Sequence, residues 1–425
     1  MIKRTLLAAL LLLSLPALAD FTRSDRATKP AQPSPENLRL ADPAVLRELR
    51  AKDLRNPGLP RHMSVQERRT WKPAEIAAPR LDQIPDFHFL RPPAEYERND
   101  AILMRWGQQN AVLTSMIVPI TTGDSRARVT LVVSGQTQQN SAASFLDNAG
   151  ANLDRIDFIQ ASSNSVWIRD YGPRFASGDF KRIIVDHEYD RPRPADNGVP
   201  GQFAKQLGLS IFTLPLLQGG GNYHSFANGE AYITDTILYY NPGVSEQQVN
   251  NYFAAYQGVD LTFLGTLGVD QTGGTGGTWY DGTGHLDMWF LPIDDNTVVI
   301  GQYAPSEWNG IPHQVTEDAV ALMQSRGYTV LRTPGWRSSG THYTYTNAVI
   351  VNDIVLTCAF NGFPSQNAQA QAVFEQAFPD RTIVPVDCTG IIGLSGALHC
   401  IVKHMPWDDA FADRLPYYPW SRSAP

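Results

Sequence analysis

The chain has 425 residues, with 35 lysines and arginines against 42 aspartates and glutamates, a formal charge of −7. That balance argues against a nucleic-acid partner, whose phosphates demand a basic face. The length exceeds one ordinary domain, but composition shifts only once, so one large domain with an appended N-terminal region is the simpler organisation.

Lys3 and Arg4 precede an almost wholly apolar run, Leu6 to Leu15, followed by Pro16 and Ala17-Leu18-Ala19. The run is too short to span a bilayer and ends in small residues, so residues 1–19 are expected to be a secretory signal peptide cut after Ala19. Its removal takes away two basic residues and leaves 33 against 42 acidic ones, a charge of −9. An exported protein, periplasmic or secreted and with no membrane association after cleavage, is expected.

Residues 20–86 are rich in Pro and Arg with one fair helical stretch, around Pro43 to Leu54; they read as an extended arm. From Phe87 to Pro406, apolar runs of strand length recur: AVLTSMIVPI, RVTLVVSG, IDFIQA, RIIVDHEY, EAYITDTILY, VDLTFLG, DNTVVIGQY, YTVLRT, NAVIVNDIVLT and TIVPVD. Helical stretches such as SAASFLDNAG, SEQQVNNYFAAYQG, VTEDAVALMQSRG and QAQAVFEQAF lie between them. Strands alternating with helices predict an α/β domain over residues 87–406, followed by a tail at 407–425. The spacing resolves no strict internal repeat.

Four short stretches carry chemistry: WIRDYGP at 167–173, GHLDM at 284–288, YTN at 345–347 and ALHC at 397–400. They supply two carboxylates, an imidazole and a thiol. A guanidinium is cationic, planar and poorly electrophilic, so hydrolysing it takes carboxylates to grip its N–H fork, a thiolate nucleophile and a proton shuttle. GHLDMWF alternates as a strand would, with His285 and Asp287 side by side on one face. Taken alone, that pair favours a structural hydrogen bond between the two over a proton shuttle and cation holder. WIRDYGP predicts a strand end that offers Asp170 to a cleft, although a lone Asp there more often caps a turn or pairs with an arginine.

YDRPRPADN at 189–197 sets Arg191 and Arg193 on a proline-stiffened stretch, suited to holding an anion or, equally, to surface ion pairs with Asp190 and Asp196. LQGGGNYH at 217–224 lacks the spacing of a phosphate-binding loop, which disfavours nucleotides. Its three glycines predict close backbone approach around a narrow pocket, with Asn222 available for orientation.

Cysteines occur only at 358, 388 and 400, and an odd count in an exported chain leaves at least one thiol unpaired. Cys358, in IVLTCAF, reads as a core thiol. Cys388 is either inert or its partner. Cys400 follows GIIGLSG, whose Gly390, Gly393 and Gly396 suit a loop that carries a thiol to a cleft floor at an unusual backbone angle. Its thiolate needs a positive neighbour, either the His285 imidazolium or the substrate itself; His399 is the weaker partner, because adjacent side chains on an extended segment point apart.

In this order WIRDYGP, YDRPRPADN, GGGNY, GHLD, YTN and ALHC resemble the bacterial peptidylarginine deiminase and agmatine deiminase family of the guanidine-modifying superfamily. The resemblance implies a five-bladed α/β propeller of ββαβ units, the pentein type, with neither metal nor cofactor. It implies Cys400 as nucleophile, His285 as general acid and base, Asp170 and Asp287 as guanidinium clasps, Asn347 in the strand TYTNAVIV as an active-site asparagine, and Trp167 beside the substrate's aliphatic stem. In the peptidylarginine branch a pair like Arg191 and Arg193 recognises the carboxylate of a C-terminal arginine.

The expected reaction is hydrolytic deimination through a covalent thiouronium, converting peptidylarginine, C-terminal arginine first, to peptidylcitrulline and ammonia. Agmatine, giving N-carbamoylputrescine, is the alternative small guanidino substrate, since Gly282 and Gly284 before His285 resemble that branch as much. Two other classes compete. An arginine-binding module without turnover would need a disabled core, and a metal-dependent hydrolase using His285, Asp287, His224 and Cys400 would lack any HExxH or clustered ligand spacing. Calcium is not expected without a carboxylate-rich loop.

Overall fold

The computed structural model describes residues 38–72, 83–123, 125–179, 181–270 and 278–407. The expected signal peptide and the tail beyond Trp407 lie outside the described residues.

Many of the apolar runs form strands buried on both faces, as in Arg128–Val133, where every residue after the arginine is buried. A continuous apolar run is what a parallel strand covered on two sides requires. Five sheets share one local order: an antiparallel pair, a helix, then a strand parallel to the second member. The first joins Lys403–Pro406, Asn99–Arg105 and Arg128–Val133, with the helix Asn110–Thr122 in the crossover and Ile156–Gln160 added beyond the helix Gln136–Asn148. The second joins Arg174–Gly178, Lys181–Tyr189 and Ile211–Gln218 across the helix Val199–Leu207, with Leu90–Arg91 on its edge.

His224–Ser225, Glu230–Thr234 and Asp260–Leu264 make the third around the helix Glu246–Gln257, which a Ser245/Gln248 capping box starts. Phe290–Pro292, Thr297–Gln302 and Thr329–Ser338 make the fourth across the helix Ile311–Ser325, extended by Thr341–Thr344. Val349–Val351, Ile354–Ala359 and Thr382–Asp387 make the fifth across the helix Pro364–Ala377. A short ribbon pairs Val269–Asp270 with Thr278–Trp279. The architecture is mixed α/β, as expected. Among the described residues no helix is long and apolar enough to cross a membrane.

Two runs expected as strands differ. AVLTSMIVPI lies in the helix Asn110–Thr122, nearly all of which is buried. A helix covered on every side shows no polar stripe, so its apolar run cannot be told from a buried strand by periodicity. In EAYITDTILY the strand stops at Thr234 and a helical turn, Thr236–Tyr240, follows.

The arm helix is present as Pro43–Arg55, begun by Asp42, whose carboxylate accepts from the N–H groups of Ala44 and Val45. It packs onto the sheet domain: both Asp53 carboxylate oxygens accept from the first N–H groups of the helix Asn110–Thr122, at 2.9 and 2.8 Å. Cys358 and Cys388 form a disulfide, so Cys358 is a bridged residue rather than a free core thiol, and Cys400 is the free cysteine. Replacing both bridged cysteines by alanine is expected to lower unfolding free energy by ~3.5 kcal/mol, the chain-entropy value for a loop of about 30 residues. Denaturant unfolding checks it.

Candidate active site

Asp170, His285 and Asp287 are placed through turns, where the sequence pattern predicts strands. Asp170 sits in the one-turn helix Ile168–Tyr171, wholly buried, rather than at the end of a strand. Its carbonyl oxygen accepts from Gly220 N–H at 2.9 Å and pairs with the His187 ring at 2.8 Å. Gly221 N–H donates to its carboxylate at 3.2 Å.

His285 and Asp287 flank and enter the 3-10 turn Leu286–Met288, and the strand begins only at Phe290. The turn is set by Gly284 at φ +73°, where a Cβ would meet the Thr236 hydroxyl at 2.4 Å. The Gly284 carbonyl takes both the Thr234 and Thr236 hydroxyls. Cys400 lies in a second 3-10 turn, His399–Ile401. In the preceding loop the left-handed angle falls on Ser395, φ 68°. Gly396 supplies room rather than an unusual angle, since a Cβ on it would lie 2.6 Å from the Trp167 ring, while a Cβ on Gly390 or Gly393 would meet nothing within 4 Å.

The centre of the site is filled by a residue of the arm. The guanidinium of Arg61 is bonded by all four groups of the motifs. Asp170 takes Nε at 2.9 Å and Nη2 at 2.8 Å, the two-pronged geometry that a carboxylate and a guanidinium favour. Asp287 takes Nη1 and Nη2, each at 3.0 Å. The Cys400 sulfur lies 2.7 Å from Nη1, and Nδ1 of His285 lies 2.8 Å from Nη2. Cys400 and His285 thus meet through the guanidinium, on its two terminal nitrogens. Arg61, Asp170, His285 and Cys400 are all fully buried.

Burial alone would drive every charge here toward neutrality, and pairing decides otherwise. Against burial, Asp170, Asp287 and Cys400 hold Arg61 well above the ordinary guanidine value. Asp170 is held well below the carboxylate range by Arg61 and His285, and Asp287 is lowered by Arg61 and His399. Burial and the Arg61 charge press His285 down, but Asp170 and Asp190 raise it above the usual histidine value. Burial pushes the Cys400 thiol well up; Asp287 and Asp170 push the same way, while the Arg61 charge pulls it down.

The remaining expected residues divide. Trp167 donates its indole N–H to the Leu59 carbonyl at 2.8 Å, and its ring and Arg61 Cδ crowd the same point above Gly396, which puts it beside the arginine stem. Asn347 lies in a loop between the strands Thr341–Thr344 and Val349–Val351, not within a strand. Its Oδ1 accepts from the His399 N–H at 3.0 Å and lies 3.3 Å from the Cys400 sulfur; its Nδ2 donates to the Asp287 carbonyl at 3.1 Å. It therefore braces the thiol turn against the carboxylate turn.

Asn222 was expected to bind substrate; its bonds go instead to Thr234 and to the N–H of Leu286, so it anchors the turn that carries Asp287. The triple glycine does give close approach: a Cβ on Gly221 would stand 1.9 Å from Arg61 Nη2.

Arg191 and Arg193 are buried and face the arm, not solvent. Arg191 Nε donates to the Arg61 carbonyl at 3.2 Å, and Arg193 Nη2 donates to the carbonyls of Pro60 at 2.7 Å and His62 at 3.3 Å. Arg193 also grips Glu67.

Three contributors escaped the sequence reading. Arg61 carried no signal in a region with many arginines. Asp190 pairs with Arg191 at 2.8 Å and stands 3.9 Å from His285 Nε2; within YDRPRPADN it reads only as an arginine's partner. Glu95 binds His399, which in turn lies 2.9 Å from Asp287, so His399 supports a carboxylate.

The metal set His285, Asp287, His224 and Cys400 is not gathered around one point: the ligating atoms of His224 group with Glu95 and His399, all within 4.8 Å of one another. Arg169 pairs with Glu95 there, and a guanidinium on that carboxylate works against a metal cation.

Solved structures of like fold include the substrate-bound agmatine deiminase of C. jejuni, with a TM-score of 0.64 at 14% identity over 75% of this chain and 97% of that one. The agmatine deiminase of Enterococcus faecalis matches with a TM-score of 0.60 at 19% identity over 76% and 96%. The fold is thus that of the guanidine deiminases. The model of the Porphyromonas-type peptidyl-arginine deiminases matches residues 91–406, and the chain belongs to that family. A curated relative from Streptomyces coelicolor, provisionally named an agmatine deiminase, is 24% identical over 351 residues, 75% of this chain and 99% of its own length.

Proposed function

We propose that this chain is a hydrolytic guanidine deiminase working through Cys400. One observation carries the reading: a single guanidinium is bonded at once by Asp170, Asp287, His285 and Cys400. The two carboxylates are preorganised for that cation, since each is a buried negative charge until it arrives. The same cation lowers the thiol, which couples formation of the thiolate to substrate arrival. Cys400 attacks the guanidinium carbon, the His285 imidazolium gives a proton to the nitrogen it faces, and ammonia leaves a thiouronium on the sulfur. Water, deprotonated by the now neutral His285, displaces the thiolate and leaves a ureido product.

The names of the relatives favour agmatine as substrate over peptide-bound arginine, so agmatine is the first small guanidino compound to offer. The second reading, peptidylarginine, has one specific support in this chain: the guanidinium in the site belongs to a residue in mid-chain, with Arg191 and Arg193 on the carbonyls around it. The carboxylate of a C-terminal arginine would meet Arg191 where the Arg61 carbonyl does. Export, periplasmic or secreted, is part of the proposal, supported by the Cys358–Cys388 bridge. So is the arrangement of the five sheets as blades around the site, supported by their shared strand–strand–helix–strand order.

Assays for ureido product and ammonia with agmatine, free arginine, and peptides with internal or terminal arginine test the reaction and rank the substrates. The double change Arg191→Ala and Arg193→Ala is expected to lower turnover of arginine peptides at least about tenfold more than that of agmatine, since each lost charged hydrogen bond is worth about 1.5–3 kcal/mol. Equal losses on both would remove the peptide reading.

The rate requires His285 protonated when ammonia departs. Because its value is raised, activity is expected to persist above the ordinary histidine range and to fall as pH rises through the raised value. Asp190→Asn removes one group that raises His285, so the alkaline limb of the pH profile should move to lower pH. An unmoved limb would exclude Asp190 from tuning the imidazole.

A further inference from the structure

Resting on that reading, we propose that Arg61 is the protein's own substrate, deiminated in cis by Cys400, and that its conversion to citrulline releases the arm from the site.

The arm segment is held as a bound peptide would be, along both its backbone and its side chain. Gln109 Nε2 donates to the Pro57 carbonyl at 3.0 Å and Trp167 to the Leu59 carbonyl. Arg193 and Arg191 hold the carbonyls of Pro60, Arg61 and His62. The Arg61 N–H donates to the Leu394 carbonyl at 2.9 Å, and the His62 ring meets the Ser395 hydroxyl at 2.9 Å. The segment is anchored at either end: the helix Pro43–Arg55 precedes it, and the helix Val65–Thr70, closed by a Ser64/Glu67 capping box and tied to Arg193 through Glu67, follows.

These contacts order residues 57–67 around one side chain, and that side chain presents its guanidinium to the thiol. Tethering makes the encounter intramolecular, so no dissolved guanidine competes on equal terms.

The chemistry balances with water alone as co-reactant. The thiol proton passes to the departing Nη2 through His285, a C–S bond forms at Cζ, and the C–Nη2 bond breaks to give ammonia. Water then replaces sulfur at Cζ and regenerates the thiol. Nη2 is the leaving nitrogen because it is the one His285 faces, while the sulfur lies on the Nη1 side.

The product is a neutral ureido group. It cannot neutralise Asp170 and Asp287, so both buried carboxylates lose their cation and water must enter to solvate them. Conversion thus turns the group that plugs the site into one the site no longer retains, and an outside guanidinium can then enter.

Peptide mapping of the full purified chain beside the Cys400→Ala variant tests the proposal. Citrulline at position 61 is expected in the native chain and arginine in the variant, with a conversion rate independent of protein concentration. Arginine at 61 in a preparation that turns over agmatine or an arginine peptide would overturn the proposal and leave the deiminase reading standing. A rate that rises with protein concentration would overturn the cis assignment. If the preparation modifies neither Arg61 nor any offered substrate, both readings fall.

Arg61→Lys adds an independent measure. It keeps a cation among the carboxylates but has no guanidine carbon, so outside turnover should stay at least tenfold below that of Arg61→Ala. Equal turnover by the two variants would refute the plug.

Discussion

Cys400→Ala is expected to abolish deimination, by at least about 10⁴-fold, while the protein stays folded, because among the described residues no other thiol or hydroxyl bonds the guanidinium and triad-type nucleophile losses are of this order or larger. The sulfur is fully buried, and its neighbours are Arg61, Asp287, Met288 and Asn347. Alanine at this position removes one polarizable atom and leaves the turn held by Asn347, so circular dichroism and the melting transition should change little. The same variant separates binding from chemistry, since the carboxylate clasp is untouched: Arg61 should stay bound there, and with Arg61→Ala added an outside guanidino ligand should still bind. Activity close to that of the native chain would contradict the assignment of Cys400.

Arg61→Ala is expected to produce two linked effects. The first is a fall in the apparent KM for an outside guanidino substrate, by at least about tenfold relative to a native chain whose Arg61 is still arginine, because a tethered competitor at millimolar effective concentration is removed. The second is a lower melting temperature. Asp170 and Asp287 lose their shared cation, and leaving buried charge unpaired costs about 3–5 kcal/mol before water relaxes the site.

Agmatine should restore part of the lost melting temperature by binding where the guanidinium was. The native chain, while its arginine is unconverted, should respond far less. A variant that melts unchanged and shows an unchanged KM beside a native chain whose peptide map still has arginine at 61 would mean that Arg61 does not occupy the pocket in solution.

Asp170→Asn tests the clasp itself. Loss of the charge that bonds both Nε and Nη2 is expected to lower kcat/KM by about 10²–10⁴-fold, from the cost of breaking a buried ion pair. Unchanged kinetics would make Asp170 a structural carboxylate.

The sequence carried the fold class and the chemical groups further than it carried geometry. Alternating apolar runs and amphipathic stretches gave the α/β reading, and most runs became strands. AVLTSMIVPI did not, since a helix buried on all sides has no polar face to betray its period. GHLDM and WIRDYGP named His285, Asp287 and Asp170, yet read as strands. Period-two alternation reports a half-buried strand only when one face is wet, and every residue of the one-turn helix and the 3-10 turn is buried. Asn222 gave a neighbourhood without a role, because a side-chain amide in a glycine-rich loop looks the same whether it binds substrate or fixes a backbone turn, and its bonds here go to Thr234 and Leu286; in the Gly390–Gly396 loop the left-handed angle falls on Ser395.

Arg61 was illegible for a different reason. Its partners lie 109, 224, 226 and 339 positions away, and nothing local distinguishes it from the other arginines of the arm. Only the folded chain brings it to the thiol.

The most direct test of the account is the ureido product itself. The native chain, Arg61→Ala and Cys400→Ala should each be given agmatine and arginine peptides, with ureido product and ammonia measured together. The expected result is equal amounts of the two from at least one substrate, more from Arg61→Ala than from a chain whose Arg61 is intact, and none from Cys400→Ala. Absence of ureido product from every substrate, including with Arg61→Ala, would contradict deimination as the function of this site.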